Sequence, residues 1–249
     1  TNATKVFHRL GEALPSEIII ENLHNEYGII AIQGPLAANV LGRMGLPFDC
    51  DYMNWLQADV EGERVIICRT GYTGEAGFEL VAPVGVLQHL WDHSIAAAAQ
   101  VGGIPAGLGA RDILRTEMGY PLHGQDISPS ISPLEAKISW AVGWDKPHFD
   151  GRETLQATRV AGAVRKRVAL RAVGRGIPRA QMDVFSDLEL QHKIGEITSG
   201  TFSPTLKEGI AMALVDAEHE KLITMFIDVR GKALESANVS LPFIVASPK

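Results

Sequence analysis

The hydrophobic pattern of this chain changes period close to residue 165, and that change limits the folds open to it. From Lys166 onward, Val168, Leu170 and Ala172 alternate with Arg167, Ala169 and Arg171, and Ile223, Met225, Ile227 and Val229 alternate with Thr224, Phe226, Asp228 and Arg230. A period of two belongs to strands with one face buried. Gly195, Ser199-Gly200 and Ser203-Pro204 mark turns, so residues 165–249 are expected to form an all-β barrel, sandwich or jelly-roll module. Residues 1–160 mix helical and strand periods instead. The class is therefore α+β, with residues 159–164 as a linker. At 249 residues, 46% of them hydrophobic, the chain is long enough for two cores.

Upstream, Asn2 is placed to cap a first helix with Val6, Phe7 and Leu10 on one side. Residues 16–20 read as a short strand and residues 27–32 as a buried one. Gln33-Gly34-Pro35 breaks that strand, with Pro35 at the first helical position of a helix carrying Ala37, Ala38, Val40, Leu41 and Met44 and closed by Gly45. Strands follow at residues 60–68 and 78–81. Residues 86–95 form a helix with Leu87, Leu90, Trp91 and Ile95 toward a core. His89 and His93 stand one turn apart on it, a spacing able to hold a metal, but no third ligand is evident and no metal is expected. A short helix begins at Gly151.

Two stretches are chemically dense. In residues 69–79 (RTGYTGEAGFE) three glycines suit a tight turn near something that must fit, Glu79 offers two acceptor oxygens side by side, and Tyr72 offers a flat face and a hydroxyl. A planar ring with adjacent N–H and NH2 groups needs such an acceptor. The same residues also suit an ordinary strand–turn–strand with polar rims. In residues 102–120 a glycine-rich lead enters a helix with Arg111 near its start, where a cation is electrostatically out of place. Arg111 either meets an anionic ligand or pairs with Asp112, Glu117 or a more distant carboxylate. These glycines do not spell a dinucleotide fingerprint. Arg230, beside Gly231, ends a strand, where it either reaches toward a neighbouring module or is simply exposed.

The formal charge of −6 argues against nucleic acid as partner, and Arg165-Lys166-Arg167 reads as a solvated strand edge. Cys50 and Cys68 make neither a metal-ligand spacing nor a disulfide framework, which points to a reducing, cytoplasmic setting. No apolar run reaches the length of a membrane span, and no signal-peptide pattern opens the chain. The start at Thr1, directly before a helix, reads as a chain lacking an N-terminal portion.

Taken together, residues 26–35 (EYGIIAIQGP), 69–79 (RTGYTGEAGFE), 105–120 (PAGLGARDILRTEMGY), 194–206 (IGEITSGTFSPTL) and the Arg-Gly and Pro-Phe elements of residues 229–243 resemble, in order and spacing, the aminomethyltransferase (T-protein) family of the glycine cleavage system. The resemblance implies a folate enzyme. It would take the aminomethyl group from the lipoyl arm of the H-protein, release ammonia and leave 5,10-methylenetetrahydrofolate, with tetrahydrofolate as substrate. It places Glu79 against the pterin ring, Tyr72 in the same pocket, and Arg111 and Arg230 where the family has substrate-contacting arginines. His123 stands where the family usually has tyrosine, and Thr116 and Met118 replace leucine and alanine. The aspartate that the family sets against the folate N5 has no counterpart here, so no catalytic residue is assigned and the truncated chain is expected to lack turnover. Its unpaired apolar edges are expected to favour a dimer. Two other readings carry the same motifs: a folate-dependent demethylation module of a larger dehydrogenase, and a non-catalytic folate-binding relative in iron–sulfur cluster maintenance.

Overall fold

The computed structural model describes residues 2–245, and contacts between residues divide them into two units, 2–107 and 108–245. The first unit is built on helix α1 (Ala3–Ala13), strand β1 (Tyr27–Gln33), helix α2 (Ala37–Arg43), strands β2 (Trp55–Val60), β3 (Glu63–Cys68) and β4 (Gly77–Pro83), and helix α3 (Val84–Ala99). The four strands form an antiparallel sheet in the order β1-β4-β3-β2. Ile30, Ile32, Val65, Ile67, Phe78 and Leu80 point to one face and are buried with Leu41 of α2 and Val86 and Leu90 of α3. Because side chains alternate, Ile29, Ala31, Glu79, Cys68 and Trp55 fall on the opposite face. Helix α2 ends in a Schellman motif: Gly45, at φ 70°, donates to the Gly42 carbonyl, and the Leu46 N–H donates to that of Leu41.

Several expectations for this unit are corrected. Residues 16–20 are not a strand; Ile18 and Ile19 are exposed, and no ladder of the sheet takes them in. Asn2 occupies the cap position of α1, but its side chain makes no capping bond, and no residue of that helix is buried. Pro35 lies two residues before α2 rather than at its first position. The expected strand at 60–68 is a hairpin whose turn, Glu61-Gly62, has φ of 54° and 82°. Trp91 is exposed, while Val86, Leu90, Ser94 and Ala97 form the buried face of α3.

The second unit comprises helix α4 (Leu108–Glu117), a 3-10 turn (Ser139–Ala141), helix α5 (Arg152–Ala161) and strands β5 (Arg165–Ala172), β6 (Asp183–Phe185), β7 (Lys193–Ser203), β8 (Glu208–Asp216), β9 (Thr224–Asp228) and β10 (Ala233–Val239). The six strands close into an antiparallel barrel, β10-β5-β8-β7-β6-β9, filled by Val168, Leu170, Ile197, Ala213, Met225 and Ile227 among others. Closure removes the exposed edges that an open sheet would carry. Helix α5 runs through much of the expected linker. Arg167, read as solvated, is buried: its guanidinium donates to the Gly119 carbonyl beyond the end of α4.

Ser132 and Glu135 form a capping box around the turn before the barrel. The Ser132 N–H donates to Glu135 at 2.8 Å, the Glu135 N–H donates to the Ser132 hydroxyl at 3.3 Å, and Arg165 of β5 donates to the same carboxylate at 2.8 Å. Burial pushes the Glu135 carboxyl up, but the hydrogen bonds from Ser132 and Arg165 outweigh it and hold the group below the usual glutamate value. A depressed carboxyl stabilises the fold above its unfolded pKa and loses that contribution as pH falls through the native one. Glu135→Gln is therefore expected to cost about 1 kcal/mol at pH 7. Urea midpoints of variant and wild type should draw together below about pH 4.

Candidate functional site

Loop 69–76 leaves β3 and enters β4, and its shape is set by a side chain from β1. Gln33 pairs across the ladder with Gly77, and its amide donates to the Phe78 carbonyl at 3.1 Å and the Thr70 carbonyl at 3.2 Å. Its oxygen accepts from the Thr73 hydroxyl at 3.2 Å. A Cβ on Gly71 or on Gly77 would collide with that amide, so Gln33 packs directly against two of the motif's glycines. The Gly34 N–H closes the arrangement on the Ala76 carbonyl at 2.8 Å.

Glu79 stands on the sheet face away from α2 and α3, half-buried, between Ala31 of β1 and Cys68 of β3. The Thr70 hydroxyl donates to its carboxylate at 2.5 Å. Tyr72 is half-buried in the loop that leads from β3 to β4. The Arg69 guanidinium points elsewhere, donating to the Cys50 carbonyl at 2.5 Å. Both cysteines are free. Burial, then the Glu79 charge, then Cys50 push the Cys68 thiol up, which makes it a poor nucleophile at neutral pH.

In the second unit Arg111 is exposed on the first turn of α4. One turn further on, Arg115 is buried, donating to Asp112 at 2.6 Å and Asp126 at 2.8 Å. Asp126 is itself buried and also accepts from the Leu122 N–H and from the Thr198 and Ser199 hydroxyls. Those hydroxyls are successive residues on β7, brought to one carboxylate by a bulge between Ile197 and Ser199. Glu117 is buried too, held by the Ser203 and Thr205 hydroxyls. Arg230 does not end a strand. It occupies a two-residue hairpin turn with Gly231, at φ of 58° and 79°, closed by reciprocal Val229–Lys232 bonds and by the Asp228 carboxylate accepting from the Gly231 N–H at 2.5 Å.

Among the described residues no group of three or more His, Cys, Asp or Glu side chains is arranged to hold a metal ion. His89 and His93 stack at 4.0 Å, and His89 faces Glu61 at 3.0 Å. No helix among the described residues is long and apolar enough to cross a membrane. Sequence reasoning missed Gln33, Thr70, Arg115 and Asp126, and named Glu117 only as a candidate partner of Arg111 rather than of the Ser203 and Thr205 hydroxyls. The clue for Gln33 lay in the paired glycines at 71 and 77, which leave room for one side chain; Arg115 and Asp126 carried no local signal.

Comparison with known proteins places these features among relatives. Residues 1–146 match the family described as the GCVT N-terminal domain, and residues 165–244 match the glycine cleavage T-protein C-terminal barrel domain. An aminomethyltransferase of Parafrankia sp. is 49% identical over 248 residues, spanning 100% of this chain and 67% of the relative. One from Mycobacterium tuberculosis strain H37Rv is 46% identical over 250 residues with the same coverage. The crystal structure of glycine cleavage system aminomethyltransferase T from Bartonella henselae superimposes with a TM-score of 0.87 at 31% identity, covering 99% of this chain and 67% of that one.

The neighbourhood of Glu79 has a ligand-free readout. Removing its charge in Glu79→Gln should speed alkylation of Cys68 by iodoacetamide at pH 8 roughly threefold in a Cys50→Ser background. Peptide mass spectrometry measures it, and an unchanged rate would mean that the carboxylate does not act on the thiol.

Proposed function

Since the chain belongs to the glycine cleavage T-protein family, we propose that it binds tetrahydrofolate through Glu79, Tyr72, Arg111 and Arg230, the folate site of an enzyme for one-carbon transfer from the aminomethyl-lipoyl arm of the H-protein, without turning over by itself. The observation that carries the reading is at Glu79: a half-buried carboxylate that accepts from the Thr70 hydroxyl, on the sheet face away from α2 and α3 and following a glycine-rich loop that contains Tyr72. A carboxylate so held can accept two parallel hydrogen bonds from the N–H and NH2 edge of a pterin, with the tyrosine ring as a wall. Arg111 and Arg230 are assigned to the anionic tail of the folate. The division at 1–160 and 165–249 is part of the proposal, as is a cytoplasmic setting, where Cys50 and Cys68 stay reduced.

In the reaction, N5 of the folate attacks the aminomethyl carbon, ammonia leaves, N10 closes the ring, and the sulfur stays with the carrier as a thiol. The residues of this chain contribute by orienting the pterin and placing charge. Arg230 bears a cost for its position, because a non-glycine residue in the left-handed region is disfavoured by roughly 1 kcal/mol. Such strain has a rationale where a side chain serves a ligand.

Titration calorimetry with tetrahydrofolate tests the assignment. Glu79→Ala is expected to weaken binding at least roughly tenfold. Arg230→Asn should weaken it by a similar factor while raising the stability of the hairpin by about 1 kcal/mol. Wild-type affinity in Glu79→Ala would overturn the site.

A further inference from the structure

We infer that Gln33 is a positioning residue for Glu79, acting through Thr70, and that the glycines at 71 and 77 exist to let it in. The inference rests on the reading of Glu79 as the pterin acceptor and names what aims it. One amide group reaches both ends of the motif: its N–H groups go to the carbonyls of Thr70 and Phe78, which flank the loop, and its oxygen takes the Thr73 hydroxyl in the middle. Thr70 is then held from two sides. Its carbonyl is fixed by Gln33 and its hydroxyl donates to Glu79. A glutamate carboxyl turns about its last torsion with little preference, so a bidentate acceptor needs a partner that sets its plane. Thr70 is that partner, and Gln33 sets Thr70.

The ladder explains why the device must come from β1. Gln33 lies opposite Gly77, two residues before Glu79 on the same strand, and both point to the sheet face that α2 and α3 do not cover. A residue at this register, with a donor pair and an acceptor on one planar group, spans the loop mouth. Glutamate has the shape but would set its oxygens against two carbonyls. Methionine has the length but no donors.

Four variants separate aiming from folding. Gln33→Met and Gln33→Glu are expected to speed amide exchange across residues 70–78 roughly tenfold, leaving exchange in residues 165–239 unchanged, and to weaken tetrahydrofolate binding roughly tenfold. Thr70→Val should weaken binding by the same factor with no change in melting temperature, and Thr70→Ser should restore it to within about twofold of wild type. Thr70→Val should also change the rate of Cys68 alkylation, which reports the neighbouring Glu79 charge without any ligand. Wild-type exchange in the Gln33 variants, or an unaltered Cys68 rate in Thr70→Val, would overturn the positioning role. If wild type itself fails to bind tetrahydrofolate, the functional reading fails, while exchange and alkylation still decide the role of Gln33.

Discussion

A carboxylate taken fully out of water must be given partners for its oxygens, and the architecture of residues 108–245 depends on how Asp126 is satisfied. Arg115 of α4, the Leu122 N–H and the Thr198 and Ser199 hydroxyls of β7 converge on it. They come from three parts of the chain, so one ion binds a helix, an irregular loop and the barrel wall together. A buried pair of this kind adds modestly to stability compared with an apolar core, yet removing one partner strands the other at a cost of several kcal/mol. Through Arg115 and the β7 hydroxyls, Asp126 ties the helix that carries Arg111 to the barrel wall.

Residues 2–107 solve a different problem with similar means. An antiparallel sheet covered on one face by α2 and α3 leaves the other face to Ile29, Ala31, Trp55, Cys68 and Glu79. Glu79 is directed there by strand alternation alone, since Phe78 and Leu80 on either side are core. What alternation cannot set is the plane of the carboxyl. Side chains from a second strand and a loop do that, and the glycines read from the sequence as a tight turn near something that must fit lie against the Gln33 amide.

The legible parts of the fold were those with local causes. The barrel announced itself through period-two patterning, and the helix closure at Gly45 through the residue type that tolerates positive φ. Even the hairpin at 60–63 had a signal: Asp-Val-Glu-Gly at 59–62 and Asp-Val-Arg-Gly at 228–231 make the same turn, with the aspartate accepting from the glycine N–H in both. Read as a pair, they would have moved Arg230 from a strand end to a turn. Residues 16–20 had β-branched isoleucines without a partner strand, and propensity alone does not build a ladder. Arg167 looked solvated because its neighbours are charged, but the end of α4 covers it.

From the sequence by itself came the α+β class, the barrel module, the family and the candidates Glu79, Tyr72, Arg111 and Arg230, because period, turn chemistry and motif spacing are properties of neighbouring residues. Only the tertiary structure decided that Gln33 and Thr70 stand behind Glu79, that Arg115 rather than Arg111 is the buried cation of α4, and that a β7 bulge delivers two hydroxyls to Asp126. Several of these contacts join residues tens of positions apart, as Gln33 with Thr70 and Asp126 with Ser199. Their energy comes from desolvated polar groups that must be paired once the chain has closed around them, and no local pattern encodes which distant partner will be there.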